Sequence, residues 1–321
     1  MKRLIKNSCA LITGGAGFIG SHLADELIKR QIDSLIVVDN LFLGHKRNLN
    51  CIKNLNNFTF INEDACNFSN LDYIFSNYNI DTVFNCATKP LNYSFINPKS
   101  AFDTNTKITL NLLELQRQKK FQTLCHFSTS EVYGSSKEEF MNEEHTLNPT
   151  TPYAAGKLAA DMAVISYQKC FDLDSFIVRP FNNFGPRQNS NPPLAGVFPI
   201  TINKILENKS PVIEGNGKQS RDFIYVKDTI YNLISLFPVA ASGEIYNICS
   251  DNEINIKDLI LKIAREMSWS GNITYMKNRK SDVYRHKGCS KKIRGIIDFQ
   301  STDFDTAVKE TISYFKLFKN E

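Results

Sequence analysis

The chain has little of what marks a secreted, metal-binding or membrane protein. Its eight cysteines form no C-x-x-C pair and its five histidines form no ligand-spaced cluster, which argues against a disulfide framework and a metal site. No apolar run approaches the roughly 20 residues that span a bilayer. The short apolar stretch near the N-terminus leads straight into glycines, so we expect no signal peptide. These absences predict a cytoplasmic protein with reduced, mostly buried thiols.

The chain also lacks a dense basic stripe. Its net charge is +5 at pH 7, with 38 Lys and Arg scattered among 33 Asp and Glu. This scatter argues against nucleic-acid binding, for which clustered basic residues are the usual sign. The 321 residues, 42% hydrophobic and 22% charged, are typical of a globular protein with one large domain or two moderate ones.

The first informative pattern is a strand, a glycine turn and a helix. Residues 9–13 (CALIT) are apolar without polar alternation, as expected for a strand buried on both faces. In the turn after this strand, Gly14 permits the tight bend, Gly17 lets a pyrophosphate approach the backbone, and Gly20 allows close helix packing. The N–H groups at the helix start then face the anion. The spacing is G-x-x-G-x-x-G rather than G-x-G-x-x-G.

Acidic residues come after the next two predicted strands. The run SLIVV leads into Asp39, 19 residues after Gly20, where an acid accepts hydrogen bonds from both adenine-ribose hydroxyls and repels a 2′-phosphate. The pattern therefore predicts NAD rather than NADP. Asp64, at the end of a strand predicted at 58–65, either caps the next helix or holds the adenine amino group. The predicted cofactor-binding residues are Gly14, Gly17, Phe18, Ile19, Gly20, Asp39, Asn40, Asp64, Ala65, Ala87, Tyr153 and Lys157.

Alternating strand and helix patterns continue to residue 180. The further predicted elements are strands at 80–87, 123–129 and 173–180 and helices at 99–118 and 152–170. This alternation predicts an α/β fold with a doubly wound parallel sheet of the Rossmann type. After Pro180 a loop rich in Asn, Pro and Gly begins. We therefore predict an NAD-binding domain at 1–180 and a smaller C-terminal α/β substrate lobe at 181–321, with crossing between the lobes allowed.

A tyrosine and a lysine begin the predicted helix at 152–170. Tyr153 and Lys157 are four residues apart and so lie on one helical face. A lysine ammonium beside a phenol favours the phenolate, and so lowers a pKa that is normally about 10. A hydroxyl from the preceding strand end, Thr129, could share the proton path. Such a trio can remove a proton from an alcohol while a cofactor removes hydride.

Together these motifs resemble those of extended short-chain dehydrogenases/reductases that act on nucleotide sugars. The resemblance covers nearly the whole chain and is carried by TGGAGFIGSHL, VVDN, STSEVYG, Y-x-x-x-K, RPFNNFGPRQ and RDFIYVKD. It implies oxidation of a nucleoside-diphosphate sugar at C4 by NAD, followed by chemistry on the 4-keto sugar. It also implies that Thr129 is the catalytic Ser/Thr, Tyr153 the acid/base and Lys157 the nicotinamide-ribose ligand. The implied oligomer is a homodimer, formed through the helices around 99–118 and 153–170.

The same resemblance implies a set of substrate-binding residues. Asn182 falls where the family contacts the pyrophosphate region, and Arg221 and Arg285 fall where it binds the diphosphate. Arg187 is a further candidate, because a guanidinium matches phosphate oxygens bidentately. The predicted substrate-binding residues are Thr129, Ser130, Asn182, Arg187, Arg221 and Arg285.

Glu131 bears on the chemistry that comes after C4 oxidation. A 4-ketone acidifies the C5 proton, so Glu131 could remove that proton while the C6 hydroxyl leaves. In STSEVYG the chain resembles 4,6-dehydratases of the GDP-mannose and legionaminic acid types, and also UDP-glucuronate decarboxylases. The dTDP-glucose dehydratases would have Asp in place of Ser130, and simple 4-epimerases usually lack the Glu. We favour a 4,6-dehydratase.

Several departures from the family pattern keep other functions open. Asn85-Cys86-Ala87-Thr88 stands where His and a run of Ala are common, and Ile108 where Gly is frequent. The loop RQNSNPPLAGVFP looks more like that of the epimerases. The alternatives are a 4-epimerase, a C4 dehydrogenase, a decarboxylase or, in a different class, a non-catalytic nucleotide-binding regulator.

Overall fold

The computed structural model describes residues 3–277 and 283–318. Its strands are β1 (Cys9–Thr13), β2 (Ser34–Val38), β3 (Phe58–Ile61), β4 (Thr82–Asn85), β5 (Thr123–Phe127), β6 (Asp174–Pro180), β7 (Asn182–Phe184), β8 (Val212–Glu214), β9 (Ser220–Arg221), β10 (Phe223–Tyr225), β11 (Ile245–Ile248), β12 (Ile254–Asn255) and β13 (Thr274–Met276). Its α-helices are α1 (Phe18–Lys29), α2 (Phe68–Asn77), α3 (Pro98–Arg117), α4 (Pro152–Phe171), α5 (Val197–Leu206), α6 (Val226–Leu236), α7 (Ile256–Glu266), α8 (Lys291–Arg294) and α9 (Phe304–Leu317).

The central sheet has seven parallel strands in the order β11-β6-β5-β4-β1-β2-β3. One face packs against α1 and α6, and the other against α2, α3 and α4. Because both faces are covered, the strands are continuous apolar runs rather than alternating ones. The predicted Rossmann-type α/β sheet is confirmed.

A second, smaller core lies in the C-terminal part of the chain. Its helices α5, α7 and α9 surround aromatic side chains, among which the rings of Phe184 and Phe198 stack at 4.3 Å. Short strand pairs, β7 with β10, β8 with β13 and β9 with β12, complete this lobe. However, α6 and β11 return to the central sheet, so a boundary at residue 180 does not divide the two lobes cleanly.

The third strand is shorter than its sequence indicates. The pattern predicts a strand that reaches residue 65, but β3 ends at Ile61, opposite Val38 at the end of β2. Beyond that point the chain turns, and the Glu63 N–H donates to the Ile61 carbonyl at 3.1 Å. Asp64 therefore lies in a loop after the carboxyl end of β3.

The burial of the cysteine thiols tests one further prediction. All eight cysteines are free; Cys125 and Cys249 are buried, whereas Cys51 and Cys170 are exposed. The expectation that most thiols are buried is therefore wrong, because four more are only half-buried.

Across residues 3–277 and 283–318, no helix has the length and apolar character needed to cross a membrane.

Candidate active site

A cleft with a volume of about 550 Å³ runs along the carboxyl ends of the sheet strands and into the C-terminal lobe. It lies over the point where the chain order reverses, since β1 is flanked by β2 on one side and β4 on the other. Ligands of open α/β sheets bind at this position. The cleft is therefore the candidate active site.

The glycine turn forms one wall of this cleft. Gly14 has a φ of +70°, and a Cβ built on it would lie 2.7 Å from Cα of Ala87. A Cβ on Gly20 would lie 2.8 Å from Cα of Gly15. Helix α1 starts after Gly17, whose lack of a side chain leaves the first N–H groups without a side-chain cap. These features fit a dinucleotide pyrophosphate, which needs close backbone approach and free N–H donors.

Asp39 lies beside this turn at the end of β2. Its carboxylate accepts N–H groups from Ala16 at 2.9 Å and Leu41 at 2.7 Å. Burial raises the pKa of Asp39, although these hydrogen bonds work in the opposite direction. Asp39 also lines the cleft, where remaining acceptor sites of its carboxylate fit adenine-ribose hydroxyls.

Asp64 lies next to Asn40 at the same end of the cleft, and the Asn40 amide donates to Asp64 at 3.0 Å. Burial alone would raise the pKa of Asp64, but hydrogen bonds from Cys66 and Asn40 outweigh it and the pKa is lowered. Helix α2 is capped by Asn67 instead, so the capping interpretation of Asp64 is wrong. The other predicted cofactor residues that line the cleft are Phe18, Ile19, Ala65 and Ala87.

Thr129, Glu131 and Tyr153 all line the cleft. Thr129 caps a 3₁₀ turn (Ser130–Tyr133), and its hydroxyl accepts the Glu131 N–H at 3.2 Å. Burial raises the pKa of Tyr153 to about 12, whereas a hydrogen bond with Thr129 lowers it and the Glu131 charge raises it. The structure thus brings a phenol, a hydroxyl and a carboxylate together in one place.

The position of Lys157 differs from that expected of a nicotinamide-ribose ligand. It is 2% exposed, is not among the residues that line the cleft, and its ammonium donates to the Phe127 carbonyl at 2.7 Å. Burial lowers the pKa of Lys157 to about 8. The expectation of a lowered phenol pKa is wrong for the chain alone, because for Tyr153 the loss of water outweighs the stabilising contacts.

Five of the six predicted substrate residues line the cleft: Thr129, Ser130, Asn182, Arg187 and Arg221. Arg187 forms an ion pair with Asp25 of α1 at 2.7 Å, while its Nη1 is buried without a hydrogen-bond partner in the part of the chain described. Nδ2 of Asn182 lies 3.4 Å from Nδ1 of His286. An unsatisfied buried guanidinium N–H favours an anionic ligand at this point.

Arg285 is the exception. It lies in a separate surface depression and not along the cleft. Its guanidinium pairs with Glu253 at 2.8 Å and also donates to the carbonyls of Glu138 and Glu139. The placement of Arg285 in the substrate site is therefore wrong, because local hydrogen bonds hold its side chain elsewhere.

The segment NCATKP after β4, which the sequence places at the cleft, contributes two residues to which no individual role was assigned. Thr88 is hydrogen-bonded to Tyr153, and Lys89 lies over the ring of Phe42 at 3.0 Å. Thr88 belongs to the four residues that depart from the family pattern, which indicated its importance, whereas nothing in the sequence indicated the contact of Lys89. Within residues 3–277 and 283–318, no group of three or more His, Cys, Asp or Glu could hold a metal ion.

Comparisons with known proteins identify relatives of this chain. A family model described as GDP-mannose 4,6 dehydratase matches residues 11–311. A putative UDP-glucose 4-epimerase from Methanocaldococcus jannaschii is 32% identical over 308 residues, 95% of this chain and 98% of the relative.

Two solved structures are similar over nearly their whole length. The UDP-N-acetylglucosamine 4-epimerase from Methanobrevibacter ruminantium, in complex with UDP-N-acetylmuramic acid, has a TM-score of 0.90 and 31% identity, and the match covers 98% of this chain and 99% of that one. The dTDP-glucose 4,6-dehydratase from Streptomyces venezuelae, with NAD bound, has a TM-score of 0.91 and 25% identity, covering 96% and 97%.

Proposed function

The chain belongs to the GDP-mannose 4,6-dehydratase family of NAD-dependent extended short-chain dehydrogenases/reductases, which act on nucleotide sugars, and from its site we propose that it is a nucleotide-sugar 4,6-dehydratase. The observation that carries this proposal is Glu131. Its carboxylate lines the cleft beside Tyr153, close enough that its charge raises the pKa of the phenol. A base at this place is what elimination after C4 oxidation requires.

NAD and the nucleotide-sugar substrate would both bind in the cleft. The glycine turn and Asp39 would hold the pyrophosphate and adenine ribose of NAD, with Asn40 and Asp64 near the adenine. Arg187 and Arg221 would neutralise the substrate diphosphate, and Asn182 and Ser130 would contact the diphosphate–sugar region. Together these contacts would place the sugar C4 hydroxyl at Tyr153.

In the first step, Tyr153 takes the proton of the C4 hydroxyl, with Thr129 hydrogen-bonded to the same oxygen. Bound NAD would supply the hydride acceptor for this oxidation and the hydride donor for the later reduction. The Lys157 ammonium, one helical turn further along α4, would favour the ionised form of the phenol during this step. Loss of one proton and one hydride leaves a ketone at C4.

In the second step, Glu131 removes the C5 proton, which the C4 ketone has acidified. The C6 hydroxyl leaves as water with the proton that Glu131 has taken from C5, so a C5–C6 double bond forms. Hydride addition at C6 and protonation at C5, balanced by the proton that Tyr153 took from the C4 hydroxyl, then give a 4-keto-6-deoxy sugar. Overall, the sugar loses one water and undergoes no net oxidation.

A 4-epimerase is the second candidate, because the M. jannaschii and M. ruminantium relatives carry epimerase names at 32% and 31% identity. In that case the ketone would be reduced on its other face and Glu131 would be structural. A C4 dehydrogenase and a UDP-glucuronate decarboxylase are the remaining reactions. Against the dTDP-glucose dehydratases stands Ser130, where that class has Asp.

We further propose a cytoplasmic homodimer formed through α3 and α4. These two helices pack against each other and leave Phe102, Leu110 and Met162 between 37% and 42% exposed. A contiguous exposed apolar patch marks a protein interface, and in the proposed dimer these three side chains would form part of one. The molar mass in solution tests this proposal, and a monomer that is fully active would contradict it.

The reaction is tested by mass spectrometry after incubation with UDP-, GDP-, dTDP- and CDP-sugars. Loss of one water would support the dehydratase and identify its substrate. Loss of carbon dioxide, an unchanged mass at a new chromatographic position, or loss of two hydrogens would instead indicate the decarboxylase, the epimerase or the C4 dehydrogenase. If no sugar gives a product or reduces bound NAD, the result would indicate that the protein is a non-catalytic nucleotide-binding regulator.

A further inference from the structure

A buried polar cluster lies between Lys157 and the sheet. Asp161 lies four residues after Lys157 on α4, so the two side chains share one helical face, and both are buried. One carboxylate oxygen of Asp161 accepts two N–H groups of Arg179, at 3.0 and 2.9 Å. The other oxygen, Oδ1, lies 3.6 Å from Nε2 of His126. The cluster therefore joins the helix that carries Tyr153 to β5 and β6.

His126 adds no charge to this cluster. Its Nδ1 lies 3.1 Å from the amide nitrogen of Asn85, which can only donate, so the ring proton is on Nε2 and faces Asp161. Burial lowers the pKa of His126 well below its ordinary value, and the charges of Lys157 and Arg179 lower it further. His126 is therefore a neutral imidazole at neutral pH.

One carboxylate then serves two buried cations, Lys157 and Arg179. The other titratable group that acts on Lys157 is the thiol of Cys86, and burial raises the pKa of that thiol. Arg179 contacts only Oδ2 of Asp161 and not Oδ1. Burial raises the pKa of Asp161, whereas the charge of Arg179, a hydrogen bond with Ser128 and the charge of Lys157 lower it. Asp161 is thus the anion available to Lys157.

We propose that Asp161 is a positioning residue, whose carboxylate keeps the ammonium of Lys157 protonated and directed at the Phe127 carbonyl. A buried amine without a nearby anion tends to lose its proton, because burial disfavours the charged form. The opposing effects of burial and Asp161 on the pKa of Lys157 agree with this geometry. The inference rests on the proposed function, in which Tyr153 takes the C4 hydroxyl proton.

The direct test is the titration of Lys157 by nuclear magnetic resonance in protein carrying carbon-13-labelled lysine. Loss of one signal in Lys157→Arg assigns the resonance. In Asp161→Asn the titration midpoint should fall by about one pH unit or more, and in Asp161→Glu it should stay near the wild-type value. An unchanged midpoint in Asp161→Asn would overturn the proposal.

Arg179→Met is the matched control. It breaks the same ion pair and disturbs the same packing, but leaves the carboxylate beside Lys157, so the midpoint should not fall. A fall in both single variants would show packing damage and overturn the proposal. Asp161→Asn leaves a buried guanidinium unpaired, which is strongly destabilising. If it does not fold, Asp161→Asn/Arg179→Met, which removes both charges, replaces it and should also show a lower midpoint.

The reaction provides the second readout. Lys157 acts in its protonated form, so the rate of bound-NAD reduction by a sugar nucleotide should be lost as pH rises through the pKa of Lys157. In Asp161→Asn this loss should occur at lower pH than in the wild type. If the wild type reduces no NAD with any sugar nucleotide, the proposed function fails, whereas the titration still decides the role of Asp161.

Discussion

The ammonium nitrogen of Lys89 lies 3.0 Å from the centre of the Phe42 ring, which also contacts Tyr93 edge to face at 5.2 Å. Phe42 lies after β2 and Lys89 after β4, and β1 lies between these strands in the sheet. The contact therefore crosses the carboxyl end of β1, where the glycine turn lies. Lys89 and Phe42 both line the cleft, and we call their contact across the dinucleotide groove the strap.

This strap predicts slow release of NAD. Lys89→Ala and Phe42→Ala should each raise the NAD dissociation rate by about two- to tenfold, the range expected for a partly exposed cation–π contact. Gel filtration with measurement of retained NAD, and displacement kinetics, provide the readout. Lys287→Ala removes a similar contact with Phe140, at 4.2 Å and outside the cleft, and should change neither. Equal retention in all three variants would contradict the strap.

Tyr153→Phe should slow the reduction of bound NAD by a nucleotide sugar by about 10²- to 10⁴-fold, the usual contribution of a general acid/base. The absorbance of reduced nicotinamide measures this step in a single turnover. Tyr167→Phe is the control on the same helix, since its hydroxyl donates to Glu114 at 2.6 Å away from the cleft. A Tyr153→Phe enzyme with wild-type rates would exclude Tyr153 as the acid/base.

Glu131→Gln should still reduce bound NAD but release no water, because the amide keeps the shape of the side chain without accepting a proton. The reduced nicotinamide should therefore accumulate, and mass spectrometry should find no dehydrated product. Glu63→Gln changes a carboxylate that lines the dinucleotide end of the cleft and should leave dehydration intact. Unchanged dehydration in Glu131→Gln would remove Glu131 from the mechanism.

The two arginines of the predicted diphosphate site should behave differently. Arg221→Ala should weaken the binding of the substrate's nucleoside diphosphate by about 10- to 100-fold, as expected for lost hydrogen bonds from a charged group. Arg285→Ala should change it by less than about twofold, since exposed ion pairs far from a ligand contribute little. Titration calorimetry measures both. Equal losses would restore Arg285 to the substrate site.

Contiguous features were predictable because neighbouring residues determine them. The apolar run of β1, the glycines after it and the acid at Asp39 lie within about one strand–turn–helix–strand unit. The end of β3 was not predictable, because a strand ends where its neighbour stops pairing, and β2 stops at Val38. The local pattern therefore puts Asp64 on a strand, whereas it lies in a loop.

The sequence by itself determined the family, the parallel α/β sheet, the NAD turn and the side chains Thr129, Glu131 and Tyr153 of the reaction centre. These are set by local periodicity and short motifs, whose geometry is determined within a few residues. Only the tertiary structure decided where long side chains point. Lys157 turns to the Phe127 carbonyl, and Arg285 turns to Glu253, 32 residues away in the chain. Such contacts depend on burial and on partners distant in sequence, so no local pattern contains them.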